Sequence, residues 1–150
     1  MQVAAGAQAV QLFDSWAGLL DEATYRAFAL PAVQHILRGL RGCGVPRIFF
    51  AQNAAALLGA VGEVEAEALG VDWRQPLDEV DRRLGGRFVL QGNLDPAALF
   101  APPARVAAAT RDVKAAMAGQ RHVFNLGHGI LPGTPIASVE AMLEEVRRPG

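Results

Sequence analysis

A single cysteine, Cys43, is all the sulfhydryl chemistry the chain contains. One thiol cannot form an intrachain disulfide or build a thiolate-rich zinc site, so a disulfide framework is excluded. A reducing, cytoplasmic setting is the expectation that follows. Cys43 lies in Arg41-Gly42-Cys43-Gly44, between a helix pattern and a strand pattern, with no base beside it, and reads as inert. Net charge is nearly absent too, at -1, and Lys and Arg are scattered, which leaves no electrostatic case for nucleic acid. No apolar run approaches the roughly 18 residues of a membrane span. Met1-Gln2-Val3-Ala4 lacks the basic and apolar stretches of a signal peptide. There is no Gly-x-Ser-x-Gly elbow, no phosphate loop with a following Lys-Ser/Thr, and no His-x-x-x-His pair for a metal.

Hydrophobic residues are present in quantity, at 51% of 150 residues, enough for a packed core in one domain or a piece of one. Five apolar runs break off into polar residues: Ala9-Leu12 into Asp14-Ser15, Val45-Ala51 into Gln52-Asn53, Ala68-Val71 into Asp72-Trp73-Arg74, Phe88-Leu90 into Gln91-Gly92-Asn93, and Val123-Phe124 into Asn125-Leu126-Gly127-His128. Each run reads as a strand, and Val45–Ala51, apolar almost throughout, as one buried on both faces. Met1–Gly6 resembles a last helical turn. Helix patterns cover about Asp21–Leu40, with a break at Pro31, then Ala54–Val61, Pro76–Leu84, Pro103–Ala118 and Ser138–Arg147, where Ser138 is the expected cap. Strands alternating with helices imply a parallel sheet with right-handed crossovers. The fold class is therefore α/β, with about five parallel strands and outer helices as part of a (β/α)8 TIM barrel. An open doubly wound sheet is the structural alternative. Five strands are too few to close the eight-stranded barrel.

Polar groups at the carboxyl ends of parallel strands are where α/β enzymes place their chemistry. Asp14-Ser15 reads either as a turn pair or as an acid and a hydroxyl facing a ligand. Asp72-Trp73-Arg74 reads either as a loop held by its own ion pair or as a wall for an acidic, planar ligand, with Arg74 suited to a carboxylate. In Gln91-Gly92-Asn93-Leu94-Asp95-Pro96, Asn93 and Asp95 fit loop-fixing and helix-opening roles as well as ligand contact. In Asn125-Leu126-Gly127-His128-Gly129, the flanking glycines let a ligand approach His128, which donates hydrogen bonds to carboxylates. His35 and His122 read as ordinary, and no metal site is expected.

Phe13-Asp14-Ser15-Trp16-Ala17-Gly18, Gly70-Val71-Asp72-Trp73, Leu90 to Pro96 and Asn125 to Gly129 occur in that order along the chain. Together they resemble the uroporphyrinogen decarboxylase family, over essentially the whole chain and in the region of the carboxyl-terminal half of that enzyme. The resemblance implies a (β/α)8 barrel, usually a homodimer, in haem and porphyrin biosynthesis. It implies a cofactor-independent lyase that converts uroporphyrinogen III to coproporphyrinogen III by four acetate decarboxylations. It assigns substrate contact to Ser15 and His128, with His128 weakly indicated as an acid or base. Asp14, Asp72, Arg74, Asn93, Asp95 and Asn125 fall on its rim.

Two departures stand out. Phe50-Ala51-Gln52-Asn53 replaces a Phe-Ala/Thr-Lys-Gly pattern and loses a positive charge. The family's arginine-rich motif, pyrrole-binding aspartate and active-site tyrosine have no counterparts, and Tyr25, in a helix pattern, does not replace that tyrosine. The expectation is a carboxyl-terminal portion without its amino-terminal half, inactive alone, and oligomeric or poorly soluble through its open strand edges. A non-catalytic module for acidic tetrapyrroles and a methyltransferase relative are the alternatives.

Overall fold

The computed structural model describes residues 1–149. Its five strands are β1 (Val10–Asp14), β2 (Arg47–Ala51), β3 (Ala68–Gly70), β4 (Val89–Leu94) and β5 (His122–Leu126). All pair in parallel, in the order of the chain. That sequential order is the order of a barrel arc. The doubly wound alternative would require a reversal of strand order.

After β1 come α1 (Glu22–Thr24), a π turn (Tyr25–Ala29) and α2 (Leu30–Gly39). The Asp21 carboxylate opens this segment by accepting the Thr24 backbone N–H at 2.9 Å. The irregularity expected at Pro31 sits one turn earlier, because proline fits the first turn of α2, where no N–H is needed. After β2 come a 3-10 turn (Ala55–Leu57) and α3 (Leu58–Val61); α4 (Leu77–Arg83) follows β3. A 3-10 turn (Pro96–Phe100) and α5 (Pro103–Ala116) follow β4, and α6 (Ile136–Arg147) follows β5. No helix among the described residues is long and apolar enough to cross a membrane.

The main core lies between the sheet and α2 to α4, around Leu37, Phe49, Leu57, Leu69, Leu77 and Leu90. A smaller one, with Leu94, Leu99, Val106 and Met142, joins β4 and β5 to α5 and α6. Each such side chain contributes about 1.5–3 kcal/mol by leaving water.

Two expectations about elements are corrected. Ser138 does not cap α6. It lies inside the helix, buried, and its hydroxyl donates to the Ala101 carbonyl at 3.1 Å; Pro135 occupies the cap position. Gly92-Asn93 is not a loop after β4 but part of it, paired with Phe124-Asn125 of β5.

The opposite, amino-terminal end of the sheet is held by arginines. Arg47 meets Glu67 at 2.6 Å and donates to the Leu37 carbonyl at 2.7 Å. Arg87 donates to the carbonyls of Gly62 and Val64 at 2.7 and 2.8 Å. Glu65 takes both Arg38 and Arg41.

The sheet is strongly curved. Paired strands are about 4.8 Å apart, so in a flat sheet β1 and β4 would be separated by about 14 Å. Yet the Gln91 amide on β4 donates to the Gln11 amide on β1 at 3.4 Å. The register puts Phe13, Phe50, Gly70, Gln91 and Val123 on one level of the concave face. A Cβ on Gly70 would lie 2.8 Å from the Phe50 ring, so glycine there makes room for that ring.

Candidate active site at the carboxyl-terminal rim

The concave face opens toward the carboxyl ends of the strands as a cavity of about 480 Å³. Its floor is amide: Gln11 and Gln91. Its wall is aromatic: Phe13 packs edge-on against Phe50, with ring centroids 5.9 Å apart. At its mouth stand Ser15, Asn125 and His128. The arrangement offers hydroxyl, amide and imidazole donors beside flat apolar surface, a combination suited to a planar ligand with acidic substituents.

The loops that carry these groups are pinned from beneath. The Asp72 carboxylate is buried, accepts the Arg74 N–H at 2.9 Å, and also accepts the backbone N–H of Asn53. The Asn93 amide donates to the carbonyls of Asp72 at 2.9 Å and Gln75 at 2.6 Å. A Cβ on Gly92 would stand 2.5 Å from the Val71 carbonyl oxygen, so β4 reaches β3 this closely only through glycine. Gly127 likewise abuts the backbone of Trp73. The His128 ring then sits between two aromatic rings, 6.4 Å from Phe50 and 6.5 Å from Trp73 by centroid. The guanidinium carbon of Arg74 lies over the same indole, 4.1 Å from its centroid.

Of the residues singled out from the sequence, Ser15, Asn125 and His128 come together in the cavity. Asp72 and Asn93 lie behind it as loop anchors. Arg74 lines an adjoining, smaller cavity that also includes Ser15. Asp14 accepts the Trp16 N–H at 3.2 Å and Asp95 accepts the Ala97 N–H at 2.8 Å, each closing a local turn. Among these residues, the Asp72–Arg74 pair, at 3.5 Å, is the one ion pair within a rim loop.

Gln11, Phe13, Phe50 and Gln91 also line the cavity, although the sequence assigns none of them a site role. Their signal was alternation. Gln11, Phe13 and Ser15 are spaced by two along β1 and its end, so they share a face. His122 is tied to the Gly92 carbonyl at 2.8 Å, while His35 is exposed on α2. Tyr25 is buried behind β1; burial, and then the charge of Asp14, pushes its phenol up to about 12. Among the described residues, no three His, Cys, Asp or Glu side chains are grouped to hold a metal ion.

A parallel arc with its donors gathered at the carboxyl strand ends has the site architecture of the α/β-barrel enzymes. The same fold is found in a methyltransferase from Methanosarcina mazei, with a TM-score of 0.83 over 95% of this chain and 42% of that one, at 22% identity. The family model for uroporphyrinogen decarboxylase matches residues 1–149, and the chain belongs to that family. It is 51% identical over 147 residues to the uroporphyrinogen decarboxylase of Streptomyces coelicolor, covering 97% of this chain and 41% of that protein. With the enzyme of Frankia casuarinae the identity is 54% over 135 residues, 89% of this chain and 36% of that one. The chain thus spans about two fifths of the length of the relatives it matches.

Proposed function

We propose that this chain provides the carboxyl-terminal part of a uroporphyrinogen decarboxylase barrel and binds uroporphyrinogen III through Ser15 and His128. Family membership together with the shared cavity supports the reading. The observation that carries it is the meeting of Ser15 and His128 across one aromatic-walled cavity. The reaction removes four acetate carboxyl groups, giving coproporphyrinogen III. Protonation of a pyrrole carbon creates a cationic electron sink; the C–C bond to the carboxylate then breaks, carbon dioxide leaves, and the electron pair forms an exocyclic C=C bond that neutralises the cation. A proton added to that methylene carbon makes the methyl group, and loss of the first proton from the ring carbon restores the pyrrole. The chain's own share is binding. The Ser15 hydroxyl and the His128 imidazole donate to substrate carboxylates, Phe13 and Phe50 cover pyrrole faces, and the Gln11 and Gln91 amides meet polar groups at depth.

No carboxylate to balance the pyrrole cation stands in the cavity among the described residues, and its one titratable side chain is the His128 imidazole. That role falls to three further strands, which complete the barrel and supply the groups missing from this arc. The assembly is a cytoplasmic homodimer in this reading, and the reaction uses no cofactor. Coproporphyrinogen formation from uroporphyrinogen III, followed by high-performance liquid chromatography of the oxidised products, tests it. The chain alone is expected to bind without turnover, and to gain turnover when a chain carrying the missing strands is added. Robust turnover by the chain alone would refute the division of roles. Absence of binding would refute the assignment of the cavity.

A further inference from the structure

The rim has a second opening beside the main cavity. It measures about 180 Å³ and is lined by Ser15, Trp16, Gln52, Asn53 and Arg74, among others, with no carboxylate in its lining. Ser15 lines both openings, so the two adjoin at this residue.

Arg74 is prepared for a ligand group. Its backbone N–H is held by Asp72 Oδ1 at 2.9 Å, which fixes where its side chain starts. Its guanidinium lies over the Trp73 indole at 4.1 Å, which fixes its plane. Its nearest acidic atom is Asp72 Oδ2 at 3.5 Å, an oxygen already committed to the Asn53 backbone N–H. One edge of the guanidinium therefore faces Asp72 loosely, and its remaining N–H donors have no acceptor among the described residues. The side chain is 41% exposed, accessible yet anchored. A planar fork with unengaged donors matches a carboxylate by two parallel hydrogen bonds.

We infer that this opening is a carboxylate subsite, in which Arg74, assisted by Ser15, takes one peripheral carboxylate of the polycarboxylate bound in the main cavity. The inference rests on the proposed ligand only for what fills the main cavity. The Trp73 indole neighbours both donors, with the His128 ring 6.5 Å from it by centroid and the Arg74 guanidinium carbon 4.1 Å from its centroid.

The test uses the 150-residue chain and two probes. Uroporphyrin I, with eight carboxylates, is titrated by fluorescence. Arg74→Gln is expected to raise its Kd about tenfold and Arg74→Lys about threefold, since lysine keeps the charge but loses the fork. Gln52→Glu, which leaves Arg74 untouched and fills the opening with a carboxylate of the chain's own, should weaken binding about as much as Arg74→Gln. It covers the case in which the arginine variants misfold. The second probe is tricarballylate, followed through the Arg74 Nε–H nuclear magnetic resonance signal. It should shift that signal in the unmodified chain and not in Gln52→Glu. If uroporphyrin binds and Ser15→Ala weakens it, but Arg74→Gln, Arg74→Lys and Gln52→Glu all match the unmodified chain, the subsite is refuted and the main cavity stands. If tricarballylate shifts Arg74 while uroporphyrin fails to bind, the subsite stands and the tetrapyrrole reading falls. If neither probe is felt at Arg74, the inference is overturned.

Discussion

The two ends of the sheet use polar side chains in opposite ways. At the amino-terminal end, Arg47, Arg87, Arg38 and Arg41 are each consumed by a carboxylate or a carbonyl of the chain itself. At the carboxyl-terminal end, Ser15, His128 and Gln91 face a cavity, and Arg74 keeps donors unengaged. The polar groups that are fully used there, Asp72 and Asn93, lie one layer back and hold the loops. One end closes the fold with its charges; the other keeps its donors for something the chain does not contain.

The sharpest way to break this contrast is at the layer that belongs to both descriptions. Asp72→Ala removes a buried acceptor that fixes the Asn53 and Arg74 backbones, and should cost about 3 kcal/mol in urea denaturation, because each bond to a charged group is strong and its donors would be left unpaired. Loss of uroporphyrin binding should accompany it. A change near zero would mean the rim loops are held elsewhere.

Next come the open donors. Ser15→Ala and His128→Ala should leave the unfolding free energy within about 0.5 kcal/mol, as surface changes do. Each should raise the Kd for uroporphyrin about tenfold, the worth of a hydrogen bond to a charged group. A stability loss comparable to that of Asp72→Ala would erase the distinction between the two layers.

The amino-terminal end makes a smaller, pH-dependent claim. The hydrogen bond from Arg47 holds the Glu67 carboxyl down at about 2, below its ordinary 4.5. A carboxyl lowered in the folded state adds stability above its unfolded pKa and loses it as pH falls through the folded one. The Glu67 side chain is half exposed, so solvent screening keeps the contribution to about 1 kcal/mol. Glu67→Gln should therefore be less stable at neutral pH, and the gap should shrink between pH 4.5 and 2. A constant gap across that range would assign the effect to packing.

The smallest effect is expected behind β1. The Tyr25 hydroxyl is buried with no hydrogen-bond partner among the described residues. Tyr25→Phe should be neutral or more stable by up to about 1 kcal/mol in thermal unfolding. A clear loss would reveal a bridge, for instance through water to Asp14.

How much of this was legible beforehand follows from what each signal measures. β2 was readable because Ile48 to Ala51 is an uninterrupted apolar run ending in Gln52-Asn53, and β5 because Val123-Phe124 stands between polar residues and leads into the Asn125 to Gly129 motif. The continuation of β4 through Gly92-Asn93 was not, since glycine and asparagine are the usual vocabulary of turns; here Gly92 serves close approach to Val71, and Asn93 bonds carbonyls of the loop after β3. The motifs pointed to Ser15 and His128, which the fold brings to one cavity. Its floor was invisible because Gln11 and Gln91 are 80 residues apart and meet only through curvature. The capping roles of Asp14 and Asp95 were open alternatives from the start, and local hydrogen bonds now fill them.

Strand order has a consequence for association. The arc ends in two unlike edges, β1 on one side and β5 on the other, and all strands point the same way. An edge meeting a copy of itself across a two-fold axis would produce an antiparallel pair and break that alignment. Parallel addition must instead set the β5 edge of one copy against the β1 edge of the next. Such a contact is head-to-tail and uses no surface twice, so it propagates: each added molecule presents the same vacant edge as the last. Growth stops only when the ring closes or when a piece of another shape fills the gap.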